Sequence, residues 1–190
     1  MLSKNLKQMK MFLLKILVVL VILIAVLCII AAFAPKKYVI TREITINKPA
    51  ENVYEYLRFL NHHREFNQWL KYDPNTKIEL KGKADGQEGA ILSFESEHEK
   101  CGKGEFENVR LIKNKQIDFK IRFMAPYVFT ADGTLFVNAV NENQTNLVWK
   151  YQGGKDWPMN IILLFVNMDK IIGADIESTM RNIKTNTEKL

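Results

Sequence analysis

The sequence predicts an α+β fold: one antiparallel β-sheet wrapped around a long C-terminal α-helix, with a single transmembrane helix ahead of it. Three observations carry this. Apolar residues recur at helical spacing from Trp157 to Leu190, the middle of the chain alternates with period two, and an unbroken apolar run lies near the N-terminus.

Ile16 to Ala34 is a run of 19 uncharged, almost wholly apolar residues between Lys15 and Pro35-Lys36-Lys37. As a helix it is about 28 Å long, which matches the roughly 30 Å hydrocarbon core of a bilayer. Residues 16–34 are therefore read as a transmembrane helix and residues 1–15 as its basic flank. Ala32-Phe33-Ala34 also fits a small-x-small signal cleavage site. The run is longer than the usual signal h-region of about 7–15 residues, however, and Pro35 would follow the cut. Retention is the expectation, and a secreted or periplasmic product the alternative. Lys4, Lys7, Lys10 and Lys15 precede the span, against Lys36, Lys37 and Arg42 after it. The positive-inside rule then places the N-terminus inside and the domain outside the cytoplasmic membrane.

Residues 38–190 form the domain. Tyr38 to Ile46 is rich in β-branched residues and reads as a first strand. Pro49-Ala50-Glu51 then opens a helix, with proline and an acid where a first turn favours them, and Val53, Tyr54, Leu57 and Leu60 share one face. A second short helix through His62 to Leu70 ends before Tyr72-Asp73-Pro74-Asn75. From Thr76 the period is two: Thr76 to Lys81, Ala90 to Glu99 and Gly102 to Ile112 read as strands. Ile117, Phe119, Ile121 and Phe123 alternate with Asp118, Lys120 and Arg122 in a half-buried strand. Phe129, Ala131, Gly133, Leu135, Val137 and Ala139 continue on a long strand, with small residues where a backbone or bound molecule comes close. Leu147, Trp149 and Tyr151 share one face of the last strand, and Gly153-Gly154 releases the chain.

In the final segment Ile161, Phe165, Met168, Ile172, Ile176, Met180, Ile183 and Leu190 form an apolar stripe opposite Lys170, Glu177, Arg181, Lys184 and Glu188. Asp156 and Pro158 suit its start. Ile161 to Val166 is apolar all round. We take it as domain core; the alternative is that part of it dips into the membrane surface beside the anchor.

Composition excludes several function classes. Of the 27 basic residues, four lie ahead of the apolar run, leaving 23 against 21 acidic from Lys36 onward. With no basic face interleaved with aromatics, no nucleic-acid partner is expected. Cys28 and Cys101 lie in different segments, so neither a disulfide between them nor a metal-ligand spacing is expected.

The order strand, two short helices, about six strands and long terminal helix resembles the helix-grip fold of the START-like, SRPBCC or polyketide-cyclase superfamily. Arg42-Glu43-Ile44-Thr45-Ile46 followed by Lys48-Pro49-Ala50-Glu51-Asn52-Val53-Tyr54 looks like its opening. Phe66-Asn67-Gln68-Trp69 with Asp73-Pro74, Ser96-Glu97, Gly102-Lys103-Gly104, Thr145-Asn146-Leu147-Val148-Trp149 and Met168-Asp169-Lys170-Ile171-Ile172-Gly173 match further positions in order, and Ile183-Lys184 stands where the family often has a leucine-lysine pair. Glu177-Ser178-Thr179-Met180 departs from the family's glycine and leucine there. The resemblance implies a cavity between sheet and helix that accepts a hydrophobic or amphipathic small molecule such as a lipid, sterol or polyketide. Members include lipid carriers, aromatase/cyclases and protein-binding modules, so the site must decide.

The candidate ligand residues are Trp69, Phe94, Phe119, Phe123, Trp149 and Tyr151 as aromatic walls, His98 on the face of Phe94 and Ser96, Asp169 toward the rim, and Gly173. Gly173 costs about 1 kcal/mol relative to alanine inside a helix, which implies close helix–sheet approach or room for a ligand. No nucleophile, base and orienting acid assemble, and Gly102-Lys103-Gly104 is too short for a phosphate loop. The reading leans to a membrane-anchored binder without catalysis, cofactor or metal, of unspecified oligomeric state. The alternatives are a cyclase, aromatase or dehydratase using His98 or Tyr151, and a protein-interaction module.

Overall fold

The computed structural model describes residues 2–190, with side chains from residue 7 onward. Of the basic flank, Met1 and the side chain of Lys4 lie outside the described residues. The chain forms two compact units. One is the N-terminal helix through Lys36 together with Lys155–Asn167, and the other is Lys37–Gly154 with Met168–Leu190.

In the first unit, helix α1 (Leu2–Phe33) contains a 27-residue stretch, Lys7–Phe33, long and apolar enough to cross a membrane. Its large apolar side chains stand outward from Met9 to Phe33, while the small Ala31 is buried. A 3-10 turn, Met159–Leu164, belongs to the same unit. Here the structure corrects the expectation that one helix runs from Trp157 to Leu190 and that Ile161 to Val166 is domain core. Asn160 is fully buried and donates from Nδ2 to the carbonyls of Ala31 (2.7 Å) and Ala34 (3.0 Å), while the Trp157 indole donates to Cys28 O at 3.1 Å. Those donors tie the segment to the end of α1, and its apolar side chains, Phe165 above all at 81% exposed, are not among the residues of the buried core.

The second unit is a seven-stranded antiparallel sheet in the order β1-β7-β6-β5-β4-β3-β2. Its strands are β1 (Lys37–Ile46), β2 (Lys77–Gly82), β3 (Ala90–Glu95), β4 (Lys103–Ile112), β5 (Gln116–Ala125), β6 (Phe129–Asn141) and β7 (Gln144–Gly154). Between β1 and β2 come α2 (Ala50–Arg58), a 3-10 turn, α3 (His63–Phe66) and α4 (Gln68–Lys71). Helix α5 (Met168–Lys189) follows Asn167, a residue type that favours a helix cap. Its buried stripe is Ile172, Ile176, Met180 and Ile183, joined by Thr179 and Thr187. Leu190, expected on that stripe, is 73% exposed because the helix ends at Lys189.

Period two sets the sheet's faces as expected. Ile117, Phe119, Ile121 and Phe123 are buried while Asp118, Lys120 and Arg122 are half-exposed. Large residues of β5 face small ones of β6: Phe119 pairs with Gly133 and Ile121 with Ala131. A Cβ on Gly133 would overlap the Phe119 ring. The small residues of β6 thus make room for a neighbouring strand's aromatic ring and not for a bound molecule.

Candidate functional site

The site begins with Trp69, whose backbone N–H donates to the Asn67 side chain at 3.0 Å, fixing the start of α4. Asn67 in turn holds the buried His63 ring through Nδ1 at 3.1 Å, and Gln68 N donates to Thr179 of α5 at 3.0 Å. Burial, with a smaller contribution from His62, pushes His63 down to about 3, so its ring stays neutral and serves packing. Held on three sides, Trp69 meets Phe123 and Trp149 edge-on, with ring centroids at 6.2 and 6.3 Å, and leans on Tyr151 at 6.2 Å.

Where Trp69, Phe123, Tyr151 and Ile172 come together they leave a cavity of about 130 Å³ between the sheet and the first turns of α5. Phe129, stacked on Phe123 at 4.5 Å, and the Glu99-Lys100-Cys101 turn complete the wall. The cavity reaches the surface at the β5–β6 turn. There Pro126 and Tyr127 line it, and Tyr127 and Val128 are 75% and 80% exposed. An apolar turn in water is unusual, because turns normally carry polar residues.

The chemistry along this wall is muted. Burial, and then the neighbouring Tyr38, push the Tyr151 phenol well above 10; the two hydroxyls are hydrogen-bonded, and the rings stack at 6.3 Å. Burial likewise raises the Cys101 thiol, whose Sγ lies 3.6 Å from Thr76 Oγ1. Both groups are protonated at neutral pH, so the thiol is no ready nucleophile and the phenol no ready base.

The other expected residues lie elsewhere. Phe94, Phe119 and Trp149 are core: Phe94 packs on Phe106 at 5.3 Å, Phe119 on Trp149 at 5.7 Å, and the Trp149 indole nitrogen is buried without a protein partner. His98 is not on a strand, since β3 ends at Glu95 and Gly102, in the left-handed region at φ +64, turns the chain back into β4. His98 is exposed and stacks on Tyr72 at 5.6 Å, beside an open polar groove of about 580 Å³ with Asp73, Ser96 and Glu97. It does not line the aromatic cavity.

Asp169 and Gly173 form a clamp. Arg42, on the helix-facing side of edge strand β1, binds Asp169 at 2.9 Å and Glu177 at 2.6 Å, and a Cβ on Gly173 would overlap its guanidinium. The glycine gives room to an arginine, not to a ligand. Among the described residues no group of three His, Cys, Asp or Glu stands together as metal ligands.

Of the expected wall, Trp69, Phe123 and Tyr151 meet at the cavity. Phe129, Ile172 and Cys101 were missed, although Ile172 sits on the α5 stripe next to Gly173 and Phe129 opens the alternation of β6. The apolar pair Tyr127-Val128 after Pro126 was the legible signal for the mouth.

No family model matches the sequence, and no curated protein matches it either. Solved structures do. Norcoclaurine synthase from Thalictrum flavum, in complex with dopamine and hydroxybenzaldehyde, superposes with a TM-score of 0.58 at 12% identity over 85% of this chain and 91% of that one. The Zhui aromatase/cyclase from a Streptomyces species gives 0.57 at 13% identity, over 80% and 94%. The Aha1 dimer from Colwellia psychrerythraea gives 0.56 at 15% identity, over 80% and 96%. At such identities the likeness speaks for architecture, and with the strand order and C-terminal helix it establishes that this chain has the helix-grip fold.

Proposed function

We propose that this protein is a membrane-anchored helix-grip domain that holds the apolar end of a small amphipathic molecule without transforming it. The observation that carries the reading is the aromatic cavity of about 130 Å³ under the exposed Tyr127-Val128 turn. Its size sets the ligand class. An apolar cavity of about 150 Å³ takes a benzene, whereas whole drug-sized ligands need roughly 300–1,000 Å³. The occupant therefore inserts one ring or a chain tip, and leaves its polar end by Glu99 and Lys100 at the rim. A fold neighbour solved with dopamine and hydroxybenzaldehyde, both single-ring molecules, is consistent with that capacity.

Retention of α1 as the anchor is supported by the bonds of Asn160 and Trp157, while the orientation, N-terminus inside and domain outside, rests on the four lysines ahead of the span. A cut after Ala34 would remove the carbonyls of Cys28, Ala31 and Ala34 that they bind.

The test uses the full chain in lipid nanodiscs and ligand-observed NMR with a panel of single-ring phenols, benzaldehydes and short fatty acids. Saturation transfer to at least one probe, lost in Ile172→Trp, which fills the cavity, is the expected result. Equal transfer to the variant, or none to either protein, would sink the reading. Mass spectrometry of the chain from its host, intact or beginning at Pro35, decides between anchor and cleaved signal.

One observation favours a second reading. Trp69, Phe119, Phe123 and Trp149 fill most of the space between sheet and helix, as a protein-interaction module of this fold requires. Crosslinking through Tyr127 that captured a defined protein, with no small-molecule binding, would favour it.

A further inference from the structure

We propose that Trp157–Val166 is a second membrane element, an interfacial wedge embedded in the outer leaflet beside the end of α1, so that the chain enters the bilayer twice. This rests on the reading of α1 as a transmembrane anchor. Three observations carry it.

The first is where the segment is fastened. Asn160 is fully buried and donates to Ala34 O and to Ala31 O, carbonyls at the end of a helix where intrahelical partners run out; Ala31 O otherwise accepts only a long 3.3 Å bond from Ala34 N. Water normally serves such groups. A buried side-chain amide in its place suits a helix end at a depth where water is scarce, since backbone groups in lipid must be satisfied internally.

The second is depth. The Trp157 indole binds Cys28 O, five residues before Phe33 and so about 7.5 Å of helix rise inside the end of α1. A spanning α1 carries that indole to the level of the interface, where tryptophan concentrates.

The third is the outward face. Met159, Ile162, Leu164 and Phe165 are 64%, 44%, 49% and 81% exposed, and Phe33 on the adjoining helix end is 88% exposed. This surface continues that of the apolar helix, so the medium that covers one covers the other. Lipid is the occupant that serves both. The charged residues Lys36, Lys155 and Asp156 border the segment at one end, where Lys155 N donates to Lys36 O at 3.0 Å, as a polar boundary at the headgroups requires.

The wedge gives the domain two attachments, one entering β1 from α1 and the other entering α5 from Val166.

The experiment reconstitutes the full chain into phosphatidylcholine and phosphatidylglycerol vesicles containing acyl-brominated lipid. Fluorescence of Trp157 is obtained as the difference from Trp157→Phe, which retains Trp69 and Trp149. The expected result is that the chain floats with the vesicles and that the Trp157 signal loses most of its intensity to brominated lipid and little to aqueous iodide. A floating chain whose Trp157 is quenched by iodide and not by bromine would overturn the wedge while leaving the anchor. A signal quenched by neither would place protein on this face, a second copy included, and would also overturn it. A chain that does not float refutes the anchor and the wedge with it. Phe165→Trp in the Trp157→Phe background repeats the measurement without touching the indole bond, and lipid quenching there is again the expected result.

Discussion

The guanidinium of Arg42 occupies the space over Gly173 that any side chain at that position would claim. Asp169, Gly173 and Glu177 follow one another at four-residue steps along α5, so the two acids flank the glycine on one helix face and Arg42 bridges both across it. Edge strand β1 is thereby latched to the helix by a cation that needs a gap in the helix surface.

Gly173→Ala therefore has two opposed effects. Alanine favours the helix by about 1 kcal/mol, while displacing Arg42 forfeits half-exposed ion pairs of roughly 0.5–1 kcal/mol. We expect the substitution to be nearly neutral in the natural chain and stabilising by about 1 kcal/mol in an Arg42→Ala background. A double-mutant cycle by chemical denaturation checks this. The same effect in both backgrounds would refute the latch.

Gly133 shows the opposite case, with a neighbour that cannot move aside. Its Cβ would overlap the Phe119 ring, which is buried against Trp149 at 5.7 Å. Gly133→Ala is expected to destabilise by about 1–3 kcal/mol, the usual cost of overpacking, and Phe119→Leu in the same chain to recover part of the loss. Thermal unfolding of the natural chain and the two variants is the check, and full tolerance of the alanine would count against this packing.

The contrast between these glycines marks how much the sequence discloses. Periodicity is a property of one segment at a time, so the alternation of β5 and the stripe from Met168 to Ile183 were legible, and with them the sheet and the helix that crosses it. What a glycine makes room for depends on a partner more than a hundred residues away in the case of Arg42, and no local pattern names it. The same limit explains His98, whose place on a strand required Glu95 to continue the pairing that Gly102 ends. It also explains Trp157–Val166: an apolar run has the same composition whether its cover is a sheet or lipid.

His63 gives the fold a pH dependence with a defined sign. Burial holds it down to about 3 in the folded chain, against 6.5 for the ordinary side chain. Between those values the unfolded chain binds the proton and the folded one does not, so stability is complete above pH 6.5 and falls on acidification toward pH 3. The slope is at most about 1.4 kcal/mol per pH unit. Denaturant midpoints at pH 7 and pH 5 should differ more in the natural chain than in His63→Gln, which cannot charge. Parallel profiles would mean that His63 titrates in the folded state near its usual value.

Asn160 offers the corresponding test of the first unit. Its Nδ2 serves two carbonyls, and its Oδ1 is buried without a protein partner, so the residue is kept for what it donates. Asn160→Leu retains the size of the side chain and removes both bonds, which leaves Ala34 O without this donor and Ala31 O with only the 3.3 Å bond from Ala34 N. Losing buried partners of this kind costs about 1–3 kcal/mol. Because the cost falls on local attachment and not on the sheet, it should appear as opening of the Lys155–Asn167 segment, with global unfolding unchanged. Trypsin cleavage after Lys155 in nanodiscs should then accelerate by roughly 5–150-fold, since 1.4 kcal/mol is a factor of ten. Cleavage at the natural rate would show that the segment is held by its apolar side chains alone, which in a bilayer would make lipid, and not the α1 terminus, its principal attachment.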